Sequence, residues 1–192
     1  MFSFLREHIE KRIHLTDGEF NTITKYFTPK SIKKNQFLLH EGIVCRHIGF
    51  VNTGCLREYS IDNKGIEHII QFAIEDWWVS DLQSFLSGLP ATNNIDALQN
   101  SEVLLLERSA PEELLNNCPK MERFFRLLIE ANQVAARERI TDSLEATAEE
   151  RYLKFIKTYP KLFGQIPQNQ IAYYLGITPQ SLSRIRKELS NK

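Results

Sequence analysis

Long uncharged stretches are missing from this sequence. No window of about 18 residues is apolar throughout, so no transmembrane helix and no membrane partner are expected. Cysteine is scarce: Cys45, Cys55 and Cys118 stand far apart, with no CxxC pair. An odd count at such spacing argues against a disulfide framework, a structural zinc site or a cysteine-ligated iron–sulfur cluster, and leaves three reduced thiols in or near a core. The histidines His8, His14, His40, His47 and His68 form no HExxH or HxH pattern, so no metal site and no cofactor are expected. The start, MFSFLREHIEKR, sets charge among its apolar residues and lacks the apolar stretch and cleavage site of a signal peptide, which predicts a cytoplasmic protein. Internal repeats and low-complexity segments are also lacking.

What is present is enough to bury a real core: 192 residues, 42% hydrophobic, 10% aromatic and 25% charged. The formal net charge of zero conceals a split. Residues 151–192 carry eight basic side chains against Glu188 alone, a net +7; the first 150 residues carry 16 basic and 23 acidic, a net −7. A basic tail on an acidic body suggests a phosphate-binding module attached to something else. A solvated basic helix face gives the same count.

Thr16-Asp-Gly-Glu19 is a capping box that opens a helix over about 17–26, and the segment before it, about 3–13, also reads as helical. From residue 27 short apolar or alternating runs take over: Gln36–His40, Ile48–Val51, Cys55–Ile61, His68–Ile74 and Val103–Leu106. Glu41-Gly42, Asn52-Thr-Gly54, Asp62-Asn-Lys-Gly65 and Ser87-Gly-Leu-Pro90 punctuate them. Strands at this spacing predict an antiparallel sandwich or roll, with a hairpin turn at Asp62–Gly65.

After a short helix at Glu112–Asn116, Pro119 starts a long one running to about Ala146 with no internal Gly or Pro. Met121, Phe124, Leu128, Ala131 and Ala135 form a heptad seam. A helix of about 27 residues spans roughly 40 Å, more than one small domain covers. The preferred reading is self-association through Phe124, Leu128, Ala131 and Ala135. The alternative is packing on the protein's own sheet, and Phe125 and Leu127 widen the apolar face enough for both.

The C-terminal stretch is the most informative. Ala148–Tyr159 reads as a helix with Tyr152, Phe155, Ile156 and Tyr159 on one face. Beyond it lies QNQIAYYLGITPQSLSRIRKEL, residues 168–189. With Gln168 as position one of a helix-turn-helix, Ala172 falls where the two helices come closest and Gly176 falls at the turn, which needs positive φ. Ile171 and Leu175 face inward, Leu182 and Ile185 put the second helix on the first, and Ile177 plugs the turn. Thr178 caps the second helix and Pro179 suits its first position. Gln180, Ser181, Arg184 and Lys187 then project outward; with Thr178 and Ser183 they make up the expected DNA-contacting set. Gln pairs bidentately with adenine and Arg with guanine, while Ser181, Lys187 and the N-terminal amides suit phosphate.

This order of parts resembles the Crp/Fnr family of bacterial transcription regulators, over nearly the whole chain. Gly54-Cys-Leu-Arg57 is similar to the Gly-x-hydrophobic stretch after a roll strand in that family, and Ser109–Pro119 to the short helix before its dimer helix. The resemblance implies an α+β fold: a cyclic-nucleotide-binding-like antiparallel β-roll or jelly roll over residues 1–118, a dimerisation helix over 119–146 and a helix-turn-helix domain over 147–192; the terminal wing that many relatives carry is not expected here. It implies a homodimer on a palindromic promoter site in double-stranded DNA. RNA polymerase and a small-molecule effector are further candidate partners.

The departures from the family are specific. Its nucleotide binders carry a Gly-Glu pair for the ribose and an Arg about ten residues on for the phosphate. Here Val79-Ser80 replaces the pair, and nothing between Lys64 and Arg108 is basic apart from His68. A buried cyclic phosphate would lack a charge partner, so neither cyclic AMP nor cyclic GMP is expected to bind. A haem-sensing relative would need a ligand among His40, His47 and His68, and no spacing supports it. Trp77 and Trp78 either pack in the core or line a pocket for a different effector; they are the effector-site candidates, with packing the commoner fate of Trp. Two other classes compete with the regulator. One is a small-molecule or protein-binding roll whose helix-turn-helix is structural. The other is a cupin-like enzyme, for which only His40 and Glu41 are adjacent, at a turn; no enzyme is expected.

Overall fold

The computed structural model describes residues 2–162, 164 and 166–190. Helices α1 (Ser3–Glu10) and α2 (Asp17–Thr24) come first. The capping box at Thr16 forms: the Glu19 N–H donates to Thr16 Oγ1 at 3.3 Å and the Glu19 carboxylate accepts the Thr16 N–H at 2.8 Å. Then follow β1 (Phe27–Ile32), β2 (Phe37–Leu39), β3 (His47–Thr53), β4 (Cys55–Ile61), β5 (Glu67–Ile74), β6 (Trp78–Val79), helix α3 (Leu82–Ser87), β7 (Asn94–Ala97) and β8 (Ser101–Glu107). Helices α4 (Ala110–Asn117), α5 (Lys120–Glu145), α6 (Ala148–Thr158), α7 (Gln168–Leu175) and α8 (Pro179–Ser190) complete the chain, with a 3-10 turn at Pro160–Leu162.

The strands form two antiparallel sheets, in the orders β1-β8-β3-β6 and β2-β7-β4-β5. This is the expected roll, followed by the expected long helix and helical C-terminus. The sequence reading missed β1, β6, α3 and β7. Pro29 sits inside β1, and it is tolerated because β1 is an edge strand of its sheet.

Strand alternation turns the two sheets into three buried layers. Between the sheets lie Val51, Leu56, Ala73, Ile95, Ala97, Val103 and Leu105. Their sequence neighbours face outward. On the first sheet, Phe27, Phe50, Leu104 and Leu106 pack against α1, α2, α4 and the start of α5 through Leu5, Ile9, Ile23, Leu114, Met121 and Phe124. On the second, Cys55, Tyr59, Ile69, Phe72 and Ile74 pack against the C-terminal helices through Tyr152, Phe155, Tyr159, Ile171 and Leu175. All three cysteines are buried and unpaired.

Trp78 belongs to the first of these outer layers. Its ring lies 5.1 Å from Phe50 and 6.1 Å from Phe124, and its Nε1–H donates to His8 Nε2 at 3.0 Å. His8 Nδ1 is 2.8 Å from Asp76 Oδ1, so one neutral tautomer satisfies both bonds: Nδ1–H donates to Asp76 and Nε2 accepts from Trp78. Burial keeps His8 below the ordinary imidazole range. Trp77 packs on Tyr159 with ring centroids 5.3 Å apart and the rings tilted by 39°. Both tryptophans are thus half-buried against aromatic neighbours.

Gly54 makes the one-residue corner between β3 and β4. Its φ is +94°, and a Cβ there would lie 2.3 Å from Ser101 Oγ and 2.7 Å from the Asn100 carbonyl oxygen. Gly54→Ala should therefore destabilise the fold by about 2 kcal/mol or more, from combined strain and clash. Urea unfolding measures it, and a loss below about 0.5 kcal/mol would show that the corner relaxes freely.

Candidate nucleic-acid interface

The C-terminal unit is built from its apolar contacts outward. A second capping box starts α6: Thr147 Oγ1 accepts the Glu150 N–H at 3.2 Å, and the Glu150 carboxylate takes the Thr147 N–H at 2.7 Å. Ile171, Ala172 and Leu175 of α7 are buried against Leu182 of α8, with Ile177 and Ile185 half-buried beside them. Gly176 adopts φ +67° at the end of α7, and the Ile177 N–H returns to the Ala172 carbonyl at 3.0 Å. Thr178 Oγ1 accepts the Ser181 N–H at 3.2 Å and opens α8, while the two hydroxyls lie 2.9 Å apart. Thr178, Gln180, Ser181, Ser183, Arg184 and Lys187 all lie on the exposed side. One helix face thereby collects two amide or guanidinium groups able to read base edges, three hydroxyls and a lysine ammonium.

The long helix changes environment along its length. Met121 and Phe124 are 0% exposed, packed on the chain's own roll. Phe124 therefore presents no surface to a second copy, and its assignment to a dimer seam is corrected. Leu128 is half-buried, and Ala131 and Ala135 are exposed. Around the helix from these, half-buried Leu127 and exposed Val134 add apolar surface that the sequence reading left out of the seam.

Inside the roll, the segment from Asp81 to Asn93 is closed by an acid. Asp81, 2% exposed, accepts the Ser84 N–H at 2.9 Å and the Thr92 and Asn93 N–H groups at 3.1 and 3.3 Å. The Asn93 side-chain amide donates to Glu58 Oε1 at 2.8 Å. Burial pushes the Glu58 carboxyl up to about 7; the Asn93 bond and the Arg139 charge oppose the rise, and the charge of Asp81 adds to it. Arg108 approaches this segment from its far end, where it donates to the Phe85 and Leu86 carbonyls at 2.5 and 3.2 Å. The stretch expected to lack a phosphate partner thus carries the buried carboxylate of Asp81 and contacts a second, Glu58 of β4, through Asn93. Asp81 was missed because a capping acid in a short helix reads as punctuation.

Arg57 was also missed as a functional residue, although the Gly54–Arg57 stretch had drawn notice. It is 8% exposed, forks onto Asp96 at 2.8 and 2.9 Å, donates to Glu67 and Gln170 at 2.5 Å each, and lies 4.0 Å above the Tyr59 ring. Burial works against its charge, but the bonds to Asp96 and Glu67 outweigh burial and hold the guanidinium above its ordinary range. Among the described residues, no three of His, Cys, Asp and Glu gather closely enough to hold a metal ion. Nor is any helix among them long and apolar enough to cross a membrane.

An antiparallel roll, a long helix and a helix-turn-helix define the class: a β-roll joined through a long helix to a helical C-terminal unit. Comparison with known proteins agrees. Residues 29–118 match the cyclic nucleotide-binding domain family. The fumarate and nitrate reduction regulatory protein of Vibrio cholerae is 25% identical over 169 residues, taking in 81% of this chain and 66% of that protein. Electron transport regulator A of Shewanella oneidensis is 24% identical over 170 residues, with the same 81% and 66% covered. The chain thus spans just under two thirds of the length of the curated relatives it matches. Among solved structures, the c-di-GMP-responsive regulator CLP of Xanthomonas campestris superposes with a TM-score of 0.74 at 9% identity, over 92% of each chain. FixK2 of Bradyrhizobium japonicum gives 0.73 at 20% identity, over 86% of this chain and 85% of that one. Taken together, these likenesses make the chain similar to regulators of this kind over most of its length, at identities of 25% and below.

Glu58 provides a test of the roll interior. Its folded pKa of about 7 lies above the ordinary 4.5, so the folded chain holds this proton more tightly than the unfolded one. Stability from this group is full below about 4.5 and is lost as pH rises through about 7. Glu58→Gln, which mimics the protonated form, should melt near the parent at about pH 5 and above it at about pH 8. A melting difference that does not grow with pH would assign the titration elsewhere.

Proposed function

We propose that the protein is a DNA-binding transcription regulator, acting as a homodimer on a palindromic site, whose roll has lost the cyclic-nucleotide phosphate site. The observation that carries this reading is the exposed edge of α8: Gln180, Ser181, Ser183, Arg184 and Lys187 face away from a helix pair whose apolar side is buried. Ordinary packed helices need no such concentration of base-reading and phosphate-binding groups at the end of a tail with net +7. The relatives named above are regulators, which supports the same reading.

The dimer follows from the exposed half of α5. Leu127, Ala131, Val134 and Ala135 leave small and branched apolar side chains along one side of α5, beyond the head of the helix that the roll covers. In the roll, Asp81 occupies the amides of Thr92 and Asn93, and Arg108 is spent on carbonyls. An anionic nucleotide would meet carboxylates there rather than a cation, which supports loss of that site.

Selection from a random duplex library should enrich a palindrome with half-sites roughly 34 Å apart. Arg184→Ala should cost about 1–3 kcal/mol on that duplex and relax preference at one base pair. If the variant binds every duplex as tightly as the parent, α8 does not read DNA. Val134→Asp should shift the chain toward monomer in sedimentation, because a desolvated carboxylate at the seam has no partner. An unchanged sedimentation coefficient would move the interface off α5.

A further inference from the structure

The apolar layer beneath the C-terminal helices keeps them on the roll but does not set their angle, because burial is non-directional. Direction comes from a polar ring. Gln170 of α7 accepts from Arg57 Nη1 through Oε1 at 2.5 Å and donates from Nε2 to Glu67 Oε2 at 3.2 Å, while Glu67 Oε2 accepts from the same Arg57 nitrogen at 2.5 Å. The ring closes in one orientation only, since the Gln amide has one accepting and one donating end. Asp96 of β7 holds the remaining two guanidinium nitrogens, so Arg57 cannot swing to follow a moving partner. Four residues further along α7, Tyr174 lies 4.5 Å beneath the Arg139 guanidinium, whose Nη2 donates to the Ile69 carbonyl at 2.7 Å. Helix α7 is thus gripped one turn apart, by the second sheet at Gln170 and by the long helix at Tyr174. Its adjacent face, Ile171 and Leu175, carries α8.

We propose that Gln170 is a positioning residue: it fixes the angle at which α7, and α8 through it, sits on the roll. Its consequence for DNA rests on the regulator reading above; its consequence for inter-domain order does not. Buried ionic networks are poor sources of stability and better sources of register.

The test uses the full chain. Gln170→Glu places a second carboxylate against Glu67 and removes the donor; the pair Glu67→Gln with Gln170→Glu exchanges the two ends and rebuilds the ring with Arg57. Gln170→Leu removes both bonds without adding charge, should the single charged variant fold poorly. Amide hydrogen exchange should show α7 protection falling about tenfold in Gln170→Glu and in Gln170→Leu, and recovering in the exchanged pair. Affinity for the selected palindrome should fall and recover in parallel, whereas Arg184→Ala should weaken affinity and leave exchange unchanged. Unaltered α7 protection in both single variants, or an exchanged pair no better than Gln170→Glu, overturns the proposal. So does protection that falls while palindrome affinity stays constant. A parent chain that selects no duplex would instead sink the regulator reading, and the exchange data would still decide the ring.

Discussion

The second sheet buries large apolar side chains on both faces, and the position of the C-terminal helices follows from that. Leu56, Ala73, Ile95 and Ala97 fill the space between the sheets, while Cys55, Tyr59, Ile69 and Phe72 point the other way. An uncovered outer face would expose a large contiguous apolar patch to water. Full burial of a single large side chain is worth about 1.5–3 kcal/mol, so exposing three or four of them would cost on the order of 5–10 kcal/mol, comparable to the whole stability of a domain. The helix-turn-helix unit is therefore part of the folded core of the protomer as well as its outward-facing edge. The first sheet has the same problem and solves it with α1, α2, α4 and the head of α5.

The roll interior holds acids whose partners are supplied from within the fold. Asp81 satisfies amides that would otherwise need an outside acceptor, and Asn93 links that acid to Glu58 in the middle of β4. Arg57 and Glu58 are neighbours on one strand and face opposite ways. One serves the contact with α7, the other the closed segment after α3. The two buried polar clusters of the second sheet are thus one residue apart in sequence, on either side of a single layer of backbone.

Much of this was legible from residue pattern, and the parts that were not share a cause. Capping boxes, the Asp62–Gly65 turn and the helix-turn-helix were readable because local chemistry alone specifies them: Gly176 sits at positive φ, and Ala172 sits where bulk is excluded. Strand β7 was hidden because Asn94 and Asp96 look like loop residues; they are buried in a strand because Asp96 meets Arg57 across the sheet. The run Val103–Leu106 gave no alternation because both faces of β8 are covered, which periodicity cannot separate from a buried helix. The polar ring was invisible for a plainer reason: Arg57, Glu67, Asp96 and Gln170 come from four elements and meet only in three dimensions.

The buried thiols carry a chemical consequence of their own. Burial, with the nearby charges of Glu75 and Asp96, pushes Cys55 up to about 12, and burial also raises Cys118. Peroxide and disulfide reagents attack the thiolate, and at neutral pH these two sulfurs hold almost none. Oxidants in the surrounding solution would reach Cys55 only after the helices lying on the second sheet had lifted away, so its alkylation rate is a clock for that opening.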